Sequence, residues 1–128
     1  MKYLLDTHVF LWMISEEKRL SQSAVNAIMN PDSELFFSMA SYWEICIKLS
    51  IDKLKLKRNW PQIFEREMTR NGIQWLAIKP EHTRGVVDLP WHHRDPFDRL
   101  IVSQCSTEKI ICITVDENIR KYSIKSLW

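Results

Sequence analysis

Four carboxylates stand where acids can do chemistry. Asp6 follows the apolar run Tyr3-Leu4-Leu5, and Asp116 closes the β-branched run from Ile110 to Val115. An acid that directly ends a buried strand is costly unless it is paired or coordinated. Asp98 falls in the first turn of a helix opened by Asp95-Pro96. Glu44 falls three residues after Ser41, the spacing of a capping box at another helix start. Either of these two, taken alone, is explained by the helix dipole, which favours acids near an N-terminus. Gathered together without basic partners, the four would repel one another and resist ionisation. A divalent cation relieves that repulsion, and an all-oxygen donor set suits Mg²⁺ or Mn²⁺. In an open parallel sheet, sites form at the carboxyl ends of strands near a switch in strand order. Acids far apart in sequence can meet there.

The elements that would position them alternate. Lys2 to Leu5 reads as a buried strand, and Val9, Phe10, Trp12 and Met13 recur at helical spacing after it. Ser21 caps a second helix with Ala24, Ala27 and Ile28 on its buried stripe, ending at Asn30-Pro31. Leu35-Phe36-Phe37 is a second strand. Ser41 caps a third helix, with Trp43, Ile47 and Ile51 along one face. Asn59 and Pro61 mark a fourth helix start, lined by Ile63, Phe64 and Met68 and ended by Asn71-Gly72. Ile73 to Ile78 is a third strand, and Pro80 opens a short helix through His82 and Val86. After a polar bend from Asp88 to Arg94, the Asp95-Pro96 helix carries Leu100, Ile101 and Cys105. Ile110 to Val115 is the clearest strand, followed by a helical piece around Asn118 to Tyr122 and an extended tail from Ile124 to Trp128. Strands alternating with helices predict an α/β fold with a parallel sheet covered on both faces, in one domain spanning 1–128.

Composition narrows the partners. The net charge of +2 permits a polyanion but does not demand one. With only Gly72 and Gly85 in the chain, there is no glycine-rich phosphate loop. Cys46, Cys105 and Cys112 are odd in number and lack paired metal spacing, which fits reduced, packed thiols. The opening apolar run is too short for a signal peptide, and no stretch approaches the roughly 18 apolar residues of a membrane span. A soluble, cytoplasmic protein is expected.

Four blocks carry a resemblance. Leu4-Leu5-Asp6-Thr7-His8-Val9-Phe10-Leu11-Trp12, Ser41-Tyr42-Trp43-Glu44-Ile45, Asp95-Pro96-Phe97-Asp98-Arg99-Leu100-Ile101 and Ile113-Thr114-Val115-Asp116 resemble, in order, the motifs of the PIN domain. More narrowly, they resemble the VapC-type toxins of bacterial toxin–antitoxin pairs. The resemblance implies a three-layer α/β/α sandwich with the first strand central in a parallel sheet. It implies a Mg²⁺- or Mn²⁺-dependent endoribonuclease leaving 5′-phosphate and 3′-hydroxyl ends. It places the metal ligands on Asp6, Glu44 and Asp98, with Asp116 as the more variable fourth. Thr7 and Thr114 become hydroxyls that orient ligands or water. Asp95 either supports the acids or caps the helix before Pro96, the second reading being favoured. A cognate antitoxin and a homodimer are the implied protein partners.

Other residues invite competing readings. His92 and His93 lack a ligand cluster at zinc spacing, so a polar loop pair is favoured, with a phosphate contact or loop positioning as alternatives. His8 is read as a helix-start residue. Arg94, Arg99 and Lys48 are candidate RNA contacts, Arg99 alternatively pairing with a carboxylate. Lys53, Lys55, Lys57 and Arg58 form either a backbone-tracking stripe or a solvated face. Trp12, Trp43 and Trp75 are assigned to core or subunit interface, and Trp60, Trp91 and Trp128 to more exposed places. An aspartyl-phosphate phosphatase would want an acid two positions after Asp6, where His8 stands. A receiver domain would want a lysine after a late strand, and Lys109 and Lys121 do not supply it. A non-catalytic RNA- or protein-binding scaffold is the remaining alternative.

Overall fold

The computed structural model describes residues 1–128. In chain order the elements are β1 (Lys2–Leu5), α1 (Thr7–Ser15), a single 3-10 turn (Glu17–Arg19), α2 (Gln22–Met29), β2 (Glu34–Ser38), α3 (Met39–Ser50), α4 (Trp60–Arg70), β3 (Ile73–Leu76), α5 (Pro80–Gly85), α6 (Pro96–Glu108), β4 (Ile111–Ile113), α7 (Glu117–Arg120) and β5 (Ser126–Leu127). The five strands form one sheet in the order β3-β2-β1-β4-β5, and every pairing is parallel. The first strand is central, with the switch in strand order on either side of it. Asp6 therefore lies at the carboxyl end of the strand where a parallel sheet builds its sites.

Successive strand residues face opposite sides, so Leu4 and Leu5 enter different cores. Leu5 packs with Val9, Phe10 and Met13 of α1, Ala24 and Ile28 of α2, and Phe64 and Met68 of α4. Leu4 packs with Ile101, Val102 and Cys105 of α6 and Ile119 of α7. This is the expected three-layer sandwich, helices covering both faces of an all-parallel sheet. Phe10 stacks on Phe37 with centroids 3.9 Å apart and meets Phe64 edge-on at 5.1 Å. Each such pair adds about 0.5–1.5 kcal/mol beyond the burial itself. α3 reaches both cores, through Ala40 on one side and Ile45 on the other. It closes the carboxyl edge of the sheet.

Local signals hold at several joints. Ser21 Oγ accepts the Ala24 N–H at 3.1 Å, and Gly72 takes the left-handed conformation (φ +64) that ends α4. The start of α3 differs. Ser38 is its N-cap, its Oγ accepting the Ala40 N–H at 3.0 Å, because the chain turns into the helix directly from β2. Ser41 is inside the helix, and its buried hydroxyl has no partner. Glu44 consequently sits in the second turn of α3 rather than in a capping box. Asn59 occupies the N-cap position of α4 but makes no side-chain cap bond. β3 stops at Leu76 rather than Ile78, since its partner β2 ends at Ser38, which faces Leu76. Trp43 and Trp75 are not core residues; they are 56% and 47% exposed. Of the two places assigned to them, core or subunit interface, the exposure excludes the core, because α3 and β3 border solvent there.

Candidate active site

Three of the helices that begin at the carboxyl edge of the sheet are capped by an acid. Asp6 caps α1, its Oδ1 accepting from the N–H groups of His8 (2.7 Å) and Val9 (3.4 Å). Asp95 caps α6 through Phe97 (2.8 Å) and Asp98 (3.2 Å). Asp116 caps α7 through Asn118 (2.8 Å) and Ile119 (3.2 Å). A cap bond satisfies an orphan helix N–H and places the carboxylate at the positive end of the dipole. The same geometry that starts each helix turns its acid toward a common cleft of about 190 Å³, lined by Asp6, Thr7, His8, Glu44, Lys48, Asp95, Asp98, Val115 and Asp116. A larger surface groove of about 560 Å³ runs along α4, lined by Gln62, Glu65, Arg66, Thr69 and Arg70, none of them buried. Chemistry points to the smaller cleft.

All four acids singled out in the sequence meet there. Asp6 and Glu44 are buried; the side chains of Asp98 and Asp116 are 18% and 32% exposed. Thr114 donates its hydroxyl to Asp6 Oδ2 and accepts the Asp116 N–H at 3.0 Å, so one side chain ties two of the acids. Thr7 donates to Glu44 Oε1 at 2.8 Å, and Lys48 Nζ reaches Glu44 Oε2 at 2.8 Å. Thr7, Thr114 and Lys48 thus all touch the carboxylates. Asp95 is the N-cap of α6, the favoured of its two readings, and it lines the cleft as well.

The electrostatics follow from this crowding. Asp98 is pushed up to about 8, first by burial and then by the charges of Asp95, Glu44, Asp6 and Asp116. Burial also raises Asp6, against the hydrogen bond from Thr114, the charge of His8 and the helix N–H groups. At Asp116 burial opposes ionisation, yet the hydrogen bonds from His93, Ile119 and Asn118 outweigh it and hold the carboxyl below its ordinary value. Burial disfavours the Lys48 ammonium, but its bond to Glu44 and the charges of Asp95 and Asp98 lift it above the usual lysine value. More negative charge converges here than the protein's own cation and donors offset. That surplus, on oxygen donors alone, fits a hard divalent ion, with Asp6, Glu44, Asp98 and Asp116 as the residues able to hold it.

Two residues differ from expectation. Arg99 contacts neither substrate space nor a carboxylate. It is buried, its guanidinium donating to the carbonyls of Pro90 (2.8 Å), Val86 (3.1 Å) and Leu89 (3.3 Å) and to the Tyr122 hydroxyl (3.2 Å), with Trp91 stacked on it at 3.8 Å. Three carbonyl acceptors in the 86–90 loop draw it inward, one residue along α6 from Asp98. His93, read from the sequence as half of a polar loop pair with phosphate contact or loop positioning as alternatives, stands instead beside two of the acids. Its Nε2 lies 3.0 Å from Asp98 Oδ2 and 3.0 Å from Asp116 Oδ2, within the acid cluster. Its place two residues before Asp95 was the available signal. Arg94 is exposed in the same loop, and His92 packs edge-on against Tyr122 outside the cleft.

A central parallel sheet with acids converging at its carboxyl edge defines a class of protein, and comparison supplies its family. The chain belongs to the PIN domain family, whose profile matches residues 3–125. It is 28% identical over 120 residues to Ribonuclease VapC22 of Mycobacterium tuberculosis, covering 93% of this chain and 90% of that protein. Its fold is similar to that in the crystal structure of VapBC2 from Rickettsia felis bound to a promoter DNA fragment. There the TM-score is 0.76 at 15% identity, covering 99% of this chain and 98% of that one. VapBC-1 from nontypeable Haemophilus influenzae gives 0.67 at 15% identity, covering 99% and 97%. No helix of the chain is long and apolar enough to cross a membrane.

Proposed function

We propose that this protein is a Mg²⁺- or Mn²⁺-dependent endoribonuclease acting as the toxin of a toxin–antitoxin pair. The observation that carries the reading is the convergence of Asp6, Glu44, Asp98 and Asp116 on one cleft, on a chain similar to a named VapC ribonuclease. In this reading the four carboxylates hold the cation. A bound divalent ion lowers the pKa of water and offsets charge developing on phosphate oxygens.

The chain's own groups do the rest. Thr114 holds the Asp6 carboxylate and, through the Asp116 N–H, the start of α7. Thr7 fixes Glu44 from the opposite side. Lys48, whose side chain is 37% exposed at the cleft, neutralises Glu44 and offers the remaining N–H donors to a phosphate entering from solvent. Arg94 stands exposed on the adjoining loop, where it can meet a neighbouring phosphate. A cognate antitoxin partner, supported by the fold shared with VapBC2 and VapBC-1, completes the proposal, together with a homodimeric state and a cytoplasmic location.

The test compares purified wild type with Asp6→Asn and Asp98→Asn. Each variant removes one negative charge at nearly constant shape. RNA is incubated with Mn²⁺ or Mg²⁺, and product ends are sequenced. Wild type is expected to leave 5′-phosphate and 3′-hydroxyl ends, and both variants to be inactive yet folded. Full cleavage by Asp6→Asn sinks the assignment. No cleavage by wild type together with no thermal stabilisation by Mn²⁺ returns the scaffold reading.

A further inference from the structure

His93, Asp98 and Asp116 present one nitrogen and two carboxylate oxygens within 4.8 Å of one another, a set that by composition alone reads as a mixed metal-binding triple. The hydrogen-bond network around the ring argues otherwise. The backbone N–H of Asp95 donates to His93 Nδ1 at 3.1 Å. A backbone amide nitrogen can only donate, so Nδ1 keeps its lone pair free to accept. The neutral ring must then carry its hydrogen on Nε2, the atom facing Asp98 Oδ2 and Asp116 Oδ2. A protonated Nε2 has no lone pair for a cation. Its one hydrogen is bonded to Asp116 Oδ2, while Asp98 Oδ2 lies 3.0 Å from the same nitrogen.

We infer that His93 is a positioning residue, a hydrogen-bond donor to Asp116 standing beside Asp98, which presets these carboxylates for a cation held by the acids and is not itself a metal ligand. The inference rests on the metal-dependent reading above. The ring is pinned for the task at two further points. Its own backbone N–H donates to the hydroxyl of buried Tyr122 at 3.1 Å, and that hydroxyl also receives Arg99 Nη1 at 3.2 Å. Buried Arg99 thereby holds the loop that carries His93. Asp116 is fixed from both sides, Oδ1 by the first turn of α7 and Oδ2 by His93. His93 Nε2, bonded to Asp116 and 3.0 Å from Asp98 Oδ2, fixes the side of the cleft on which these two carboxylates meet. Partners of this kind, which orient ligating groups, change metal affinity by roughly 10–100-fold when removed.

The experiment has a part that needs no metal. Nitrogen-15 shifts of the His93 ring in the metal-free protein should report hydrogen on Nε2 and a free lone pair on Nδ1; the opposite tautomer overturns the inference. Next, Mn²⁺ is added and followed by calorimetry and pulsed electron paramagnetic resonance. No directly bound ¹⁴N from His93 is expected, and a coupling that vanishes in His93→Gln (His8 also lines the cleft) overturns it. Glutamine places an amide N–H near the Nε2 position, so His93→Gln should bind Mn²⁺ within about 3-fold of wild type, whereas His93→Asn, which reaches only the Nδ1 position, should bind on the order of 10-fold more weakly. Cleavage should follow the same order. His93→Asn binding as tightly as wild type also overturns the role. Absence of Mn²⁺ binding by the unaltered protein sinks the metal-centre reading and this role with it, whatever tautomer the shifts report.

Discussion

Thr7 donates its hydroxyl to Glu44 Oε1 across 2.8 Å, joining the first turn of α1 to the second turn of α3 over 37 residues of sequence. Both residues are buried, and the other oxygen of Glu44 is bound by Lys48. The two donors leave the carboxylate a single orientation. Thr7→Val keeps the shape and removes the donor. It should lower stability by about 1.5–3 kcal/mol, the range for a hydrogen bond to a charged group, and reduce RNA cleavage by roughly 10-fold. Thr7→Ser should retain both. Thermal melts and cleavage rates of the pair are the measurement; equal behaviour of Val and Ser variants would show that the hydroxyl does not matter.

Asp98 makes the metal-free protein sensitive to pH in an unusual direction. Its carboxyl is raised to about 8 in the fold, from an ordinary value of 3.8. Between those values the native state holds a proton that the unfolded chain has released. Stability of the metal-free protein therefore falls as pH rises through this window. Asp6, also raised, contributes in the same sense, whereas Asp116, lowered, loses its contribution only in more acidic solution. Mn²⁺ requires the ionised acids, so its stabilising effect should grow from pH 5.5 to pH 8, each ion displacing a proton. Melting curves in EDTA and in Mn²⁺ should diverge with pH, and the EDTA slope should flatten in Asp98→Asn. An EDTA slope identical in wild type and variant would remove Asp98 as its cause.

Arg99 should matter for folding first. Its guanidinium satisfies three carbonyls and a hydroxyl inside the protein, in a fork that lysine cannot reproduce. Arg99→Lys should lose about 2–4 kcal/mol, because buried acceptors are left unpaired, and denaturant unfolding reads this directly. Wild-type stability combined with weakened RNA binding would instead restore Arg99 as a substrate contact.

Lys48 provides an electrostatic test. If it meets a phosphate, Lys48→Gln should weaken binding of single-stranded RNA to a cleavage-inactive background and reduce the slope of log K against log salt by about 0.7. Asp98→Asn serves as that background. An unchanged slope would confine Lys48 to its ion pair with Glu44.

Much of this molecule is local and therefore legible in one dimension. Leu4 and Leu5 followed by Asp6 announce a strand that stops at a charge, and Asp95-Pro96 announces a helix start, because apolar alternation, caps and proline act over a few residues. Those signals place Asp6, Asp98 and Asp116 at element ends, and a sheet of alternating strands and helices brings such ends to one edge. Glu44 shows the limit. Its spacing from Ser41 mimics a capping box, but α3 begins at Ser38, since where β2 stops is decided by pairing with β1 and β3 rather than by the helix sequence. Arg99 and His93 show it more sharply. Both are polar residues beside an acidic motif, and nothing local distinguishes a guanidinium that binds RNA from one that binds loop carbonyls. Their roles depend on where the 86–95 loop folds against α6, α7 and Tyr122. The identity of the acids was written in the sequence. Which neighbours hold them, at what distance and with which hydrogen, was decided by contacts between residues up to 108 positions apart.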